Sequence, residues 1–262
     1  VRARDVGVEV LEETSIVDLL RVNDAVVGVR TRERDILARV TLDATGRARF
    51  LARRAHNSDV ARKAEFVAFK THVSGCGVPN DVCEIFSYAR GYGGSSRVEN
   101  GLHNLCFIAA ADDVKQLGSD PKRVLRELVC TNKRAAAVFG DIRFVGEWHA
   151  VPIERYGRGN VVPDLGLLTI GDAAAFIDPF TGSGMLLAFE SARIAADSII
   201  RMNDTVDLAS EFSQQYSAAF DSRLRLCSLL RRVSFIPLLA ETTVRALELS
   251  SGLRKFIVRA TR

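Results

Sequence analysis

The stretch "LLTIGDAAAFIDPFTGSGMLLAFESA", residues 167–192, passes from an apolar run through an isolated Gly-Asp to Asp-Pro, then to Gly-Ser-Gly at the head of a helix of small residues. Leu167 to Ile170 read as a buried parallel strand, and ligands of open α/β sheets bind beyond the carboxyl ends of such strands. Asp172 stands at that end. An ionised aspartate only accepts hydrogen bonds, so a buried one there calls for a ligand rich in hydroxyl donors, such as a sugar or polyol chain. Gly182 and Gly184 carry no side chain and let a flat ligand approach the backbone. The first N–H groups of the helix that follows lack intrahelical partners and attract partial negative charge. Ala188, Ser191, Ala192, Ala195 and Ala196 keep that helix thin enough to pack closely on a sheet.

The remaining composition limits what such a site can belong to. With 262 residues, 47% hydrophobic and 26% charged, the chain can bury a substantial core in one large or two modest globular domains. The net charge is only +4, and aromatics are not interleaved with basic runs, which argues against nucleic acid as a partner. Five cysteines, Cys76, Cys83, Cys106, Cys130 and Cys227, are odd in number and form no Cys-x-x-Cys, so neither a disulfide framework nor a metal site is expected. No apolar run approaches about 18 residues and no signal-peptide pattern opens the sequence, which leads to the expectation of a cytoplasmic protein. The sequence does not begin with Met.

Upstream of the site, strands are expected near residues 6–10, 15–22, 25–31 and 36–43, with a turn at Asn23-Asp24. Thr45-Gly46 makes a tight turn, followed by the basic run Arg47, Arg49, Arg53 and Arg54, read as a solvated helix face, with contact of one arginine to a cofactor phosphate or a nicotinamide nucleotide as the alternative. Residues 66–73, 82–88 and 102–110 have the composition of a second sheet, joined by a glycine-rich bend, "RGYGGSSRVENG". "SDPKRVLRELVCTNKRAAAVFG", residues 119–140, reads as one helix capped by Asp120, opened by Pro121 and stopped by Gly140. Residues 142–148 read as a returning strand. Leu208, Phe212 and Tyr216 recur at four-residue spacing, Pro237 marks a break, and short basic amphipathic helices follow.

The stretch at 167–192 resembles the second FAD motif of flavoproteins with the para-hydroxybenzoate hydroxylase fold, in the branch that holds geranylgeranyl reductases and their monooxygenase-like and halogenase-like relatives. "LDATGRARFLARR", residues 42–54, resembles the Ala-Thr-Gly segment of the same proteins, and "GYGGSSRVENGLHNLCFIAA", residues 91–110, the substrate-domain hairpin of the reductase-like branch. The resemblance implies an α/β (mixed α+β) architecture: a Rossmann-like FAD-binding domain lacking its first βαβ unit, an inserted antiparallel-sheet substrate domain and a helical C-terminus. The expected divisions are 1–60, a partial FAD-binding domain with a β-meander; 61–152, a substrate-binding domain; 153–203, the Gly-Asp motif and following helix; and 204–262, the C-terminal helices.

By the same resemblance Gly171, Asp172 and Pro179 belong to the FAD site, with Asp172 on the ribityl hydroxyls. Gly182, Ser183, Gly184 and Met185 would present backbone to the flavin pyrimidine edge, and Gly46 would lie near the adenosine half. NAD(P)H is carried as an electron donor. The Gly-x-Gly-x-x-Gly that holds the FAD pyrophosphate in these flavoproteins is not in this sequence, so the expectation is an N-terminally truncated product that does not retain FAD. The Trp-x-Trp-x-Ile-Pro segment of the halogenases has no counterpart, Trp148 being the single tryptophan.

Tyr92, Trp148 and His149 are candidates for the substrate pocket, each set against a plain reading as core, and His72 and His103 have the same status; His56 is read as exposed. The function expected is an FAD-dependent reductase or monooxygenase of an apolar or aromatic small molecule. Its alternatives are a halogenase-like enzyme and a non-catalytic lipid- or prenyl-binding protein on a flavoprotein fold. Basic C-terminal residues add peripheral membrane contact as an expectation; oligomeric state is left open.

Overall fold

A computed structural model describes residues 2–55, 63–154 and 156–261. A short helix, α1 (Arg2–Asp5), opens the chain. Val6 to Val10, expected as a strand, form a turn and coil instead: the amides of Val6, Gly7 and Val8 fold back onto the carbonyls of Ala3 and Arg4. That leaves no extended ladder edge, and Val6 and Val8 are 75% and 51% exposed.

β1 (Ile16–Val22) and β2 (Ala25–Thr31) form an antiparallel hairpin. Asn23 and Asp24 both have left-handed φ, +47° and +62°, the geometry whose twist matches paired strands across a two-residue turn. The expected strand 36–43 is two strands, β3 (Asp35–Leu37) and β4 (Thr41–Asp43). Between them the backbone changes partner: the Ala38 amide donates to Val27 and the Thr41 amide to Gly166. α2 (Phe50–Ala55) follows a 3₁₀ turn at Gly46–Ala48. His56 lies outside the described residues.

The next segment builds a mixed array: β5 (Phe66–Ser74), β6 (Cys83–Tyr88), β7 (Gly91–Arg97), β8 (His103–Ala110), α3 (Ala111–Gln116), α4 (Pro121–Glu127), α5 (Lys133–Phe139), β9 (Arg143–Phe144) and β10 (His149–Ile153). Two expectations change here. The glycine-rich bend is in fact β7, an interior strand paired with β6 and β8. The single helix 119–140 is α4, a 3₁₀ turn and α5, because Asn132 caps a second start by accepting from the Arg134 and Ala135 amides. The Asp120 cap and the Gly140 stop are as expected. The returning strand is likewise displaced, with β9 covering only two residues and β10 making the full antiparallel pairing with β5.

The chain ends with β11 (Gly157–Arg158), β12 (Leu167–Thr169), β13 (Ala175–Phe176), α6 (Gly184–Arg201), α7 (Thr205–Ser234), α8 (Pro237–Leu249) and α9 (Ser251–Ala260). β12 pairs parallel with β4, and all three of its residues are buried.

Two compact units result, Val1–Val60 with Gly157–Ser222, and Ala61–Tyr156 with Arg223–Arg262. The first holds the parallel pair, the meander and α6, with Leu19, Val26, Leu51 and Leu167 at its centre. In the second, the sheet order is β10-β5-β8-β7-β6. One face of that sheet, carrying Phe69, Leu105, Phe107 and Phe86, packs against Val114, Val124, Leu125 and Val138 of the helices. The boundary after Ser222 falls within α7.

Candidate flavin site

All of the site's parts lie within the first unit. Asp43, at the end of β4, is fully buried and fixes one wall. One oxygen accepts from the Thr45 amide at 3.0 Å and its hydroxyl at 2.6 Å; the other accepts from the Ala52 amide at 2.9 Å. The Thr45 hydroxyl in turn accepts from the Phe50 amide at 2.9 Å. The turn at Gly46 is thereby clamped between strand and helix, and the left-handed φ of Gly46, +66°, suits a residue without Cβ.

Two residues beyond the neighbouring parallel strand, β12, Gly171 opens a 3₁₀ turn, and its amide donates to Ser191 Oγ of α6 at 2.9 Å. A Cβ on Gly171 would lie 3.3 Å from Ala188 Cβ. Strand end and helix are thus drawn into close contact, which needs small residues on both. Asp172 follows, half-buried, and its carboxylate accepts no hydrogen bond from any described residue. Burial pushes its carboxyl above the usual range, partly opposed by the Arg47 guanidinium. Arg47 itself stacks over the Phe176 ring at 5.1 Å.

The third wall is the approach to α6. A 3₁₀ turn at Pro179–Thr181 is closed by the Gly182 amide donating to Pro179, and Gly182 takes φ +63°. Ser183 caps α6 by position, but its buried hydroxyl pairs with Thr181 Oγ1 at 3.0 Å and makes no bond to the helix amides. The first amide with an intrahelical partner is that of Leu187, which donates to Ser183. The amides of Gly184, Met185 and Leu186 precede it and lie within the first turn, where helices leave donors unpaired.

Together these walls border an open cleft of about 520 Å³. Gly46, Gly171, Asp172, Pro179, Gly182, Gly184 and Met185 all line it; Ser183 points inward instead. Ala44, Ile170, Phe176, Ile177 and Ala188 complete the lining without having been singled out as contacts from sequence. Phe176 carried a readable signal, a lone aromatic between Asp172 and Asp178. A Cβ on Gly46 or Gly182 would meet nothing within 4 Å, so the space beside both is open. The cavity volume, an unpartnered carboxylate acceptor and a row of amides fit a flat ring bearing a polyol chain, as in FAD.

The substrate candidates belong to the second unit. Tyr92 on β7 is buried, with its ring 6.1 Å from Phe235, and alternates to the face opposite Phe107. His149, at the start of β10, shares the Tyr92 face and is exposed. Trp148 does not join them: it packs on the covered face with Phe69, Phe107 and Phe144. His103 is buried, with Nε2 3.1 Å from the Val78 carbonyl, and His72 is half-buried.

No family model matches the chain. A segment of 50 residues is 42% identical to Conditioned medium factor receptor 1 of Dictyostelium discoideum, covering 19% of this chain and 10% of that protein. Among solved structures, the flavin-dependent brominase Bmp2 superposes with a TM-score of 0.78 over 99% of this chain and 67% of its own, at 18% identity. A geranylgeranyl bacteriochlorophyll reductase-like protein from Thermoplasma acidophilum gives a TM-score of 0.70 at 18% identity, over 89% of this chain and 61% of its own. PqsL of Pseudomonas aeruginosa, described as a probable FAD-dependent monooxygenase, gives 0.64 at 19% identity, over 87% and 65%. The chain therefore spans about two thirds of the length of these structures, and it has the FAD-binding flavoprotein fold that they share.

Proposed function

We propose that this chain functions as an FAD-dependent oxidoreductase, a reductase or monooxygenase, acting on an apolar or aromatic small molecule. The observation that carries the proposal is Asp172, a half-buried carboxylate with no hydrogen-bond donor among the described residues, facing a cavity at the end of a parallel strand. Leaving such an acceptor desolvated is costly, and the hydroxyls of a ribityl chain supply the missing donors. The unpaired amides at the start of α6 favour an electron-rich edge of the ring, and Gly46 and Gly182 leave the backbone open to it. FAD, when bound, supplies the redox chemistry; this chain's residues hold and orient it.

The substrate class is supported by the face of the second unit's sheet that carries Tyr92, where Ile85 and Val151 are 47% and 37% exposed. NAD(P)H as the electron donor belongs to the same proposal.

The test is titration of the purified 262-residue chain with FAD, followed by flavin fluorescence, beside Asp172→Ala. Because the Gly-x-Gly-x-x-Gly that holds the pyrophosphate is not in this sequence, the chain is expected to purify without flavin and to bind added FAD weakly but saturably, weakened further in the variant by about ten- to a hundredfold, the worth of a hydrogen bond to a charged group. Absence of saturable binding, or equal binding by a folded Asp172→Ala, would overturn the proposal.

A further inference from the structure

The last two helices combine exposed apolar side chains with a run of basic residues. On α9, Leu253, Phe256 and Ile257 fall on one side of the helix, with Lys255 and Arg259 on the other. In a helix whose apolar stripe is spent on the core, those side chains would be buried; here Phe256 is 61% exposed and Leu253 37%. On α8, Ala240, Thr243 and Leu247 are partly covered, and the opposite side carries Leu238 and Leu249 at 71% and 90% exposure.

The surface is held in place. Buried Arg223 donates through Nε to the Thr261 carbonyl at 3.1 Å, just beyond α9. Arg254 donates to the Leu247 and Glu248 carbonyls at the end of α8, fixing the turn between the helices. Lys255 and Arg259 make no ion pair among the described residues, and no acidic residue stands between Leu249 and Arg262.

We propose that α8 and α9 form a docking surface for an anionic lipid bilayer. Exposed Phe and Leu on one side of α9 and unpaired Lys and Arg on the other make it amphipathic, as at the boundary between acyl chains and negatively charged headgroups, with the long basic side chains able to reach back toward the phosphates. A second copy of the chain fits less well, because the same acid-free segment offers no carboxylate to match Lys255 and Arg259. Among the described residues no helix is long and apolar enough to cross a membrane, so contact would be at the interface. The inference is independent of the flavin reading.

The test is co-sedimentation of the 262-residue chain with phosphatidylcholine vesicles and with vesicles containing phosphatidylserine, at low and high ionic strength. Binding is expected to the anionic vesicles only, to weaken with salt, and to fall by at least about tenfold in Lys255→Glu/Arg259→Glu, each cation being worth about fivefold. Phe256→Ser should weaken it as well; circular dichroism checks that both exposed-site variants remain folded. The lipid comparison on the unaltered chain requires no variant to fold. Equal binding to neutral and anionic vesicles, full binding by the folded charge-reversal variant, or self-association without vesicle binding would each overturn the proposal.

Discussion

Asp172 is placed where it costs the folded chain something when the cavity holds no donor for it. Its carboxyl is raised by burial, with Arg47 opposing. The folded state therefore takes up a proton more readily than the unfolded state. The sign follows: stability is highest below the ordinary carboxylate range and declines as pH rises through the window up to the raised value, above which the full cost is present. Asp172→Asn should accordingly raise the melting temperature at neutral pH and leave it unchanged at acid pH, by an amount limited by the half-exposure of the group. Thermal melts of the two proteins across pH, without added flavin, check this; a variant equally or less stable at neutral pH contradicts it. Gains in stability on neutralising a site carboxylate, with loss of ligand affinity, are the usual cost of a preorganised site.

At the scale of elements, β7 shows why local composition misleads. "GYGGSSR" has the residues of a bend, yet it forms the strand between β6 and β8. A Cβ on Gly91 would lie 2.3 Å from the Ile108 carbonyl and 2.5 Å from Tyr88 Cε2, so the glycine serves close packing of a ring over the strand. The Tyr88 hydroxyl lies 2.8 Å from that same carbonyl. Gly91→Ala should cost about 1–3 kcal/mol, the usual range for overpacking, read as a lower urea midpoint; an unchanged midpoint would show that the β8 backbone at Ile108 and the Tyr88 ring both yield without cost. The helix at 119–140 failed for a different reason. Its hydrophobic spacing runs through the break, and only Asn132, an ordinary-looking polar residue, marks the second cap. The β1–β2 hairpin, in contrast, was legible because Asn-Asp between alternating apolar residues leaves few other solutions.

For the whole molecule, the site was more legible than the arrangement that builds it. Gly171, Asp172 and Gly182 to Met185 lie within one continuous stretch, so their proximity follows from chain connectivity. The join between Gly46 and Asp172 depends on β4 pairing parallel with β12, over 120 residues later, and no periodicity encodes such a pairing. The Asp43 clamp that shapes the Gly46 turn is equally invisible until the fold exists, as is the sharing of α7 between units. Flavin in the cleft at the start of α6 is read by hydrogen–deuterium exchange of the 262-residue chain with and without saturating FAD. Exchange should slow at the amides of Gly184 to Leu187 and around Gly46 and Asp172, with β7 and α9 unchanged; protection confined to other segments, or none at the start of α6, would mean that flavin does not bind there.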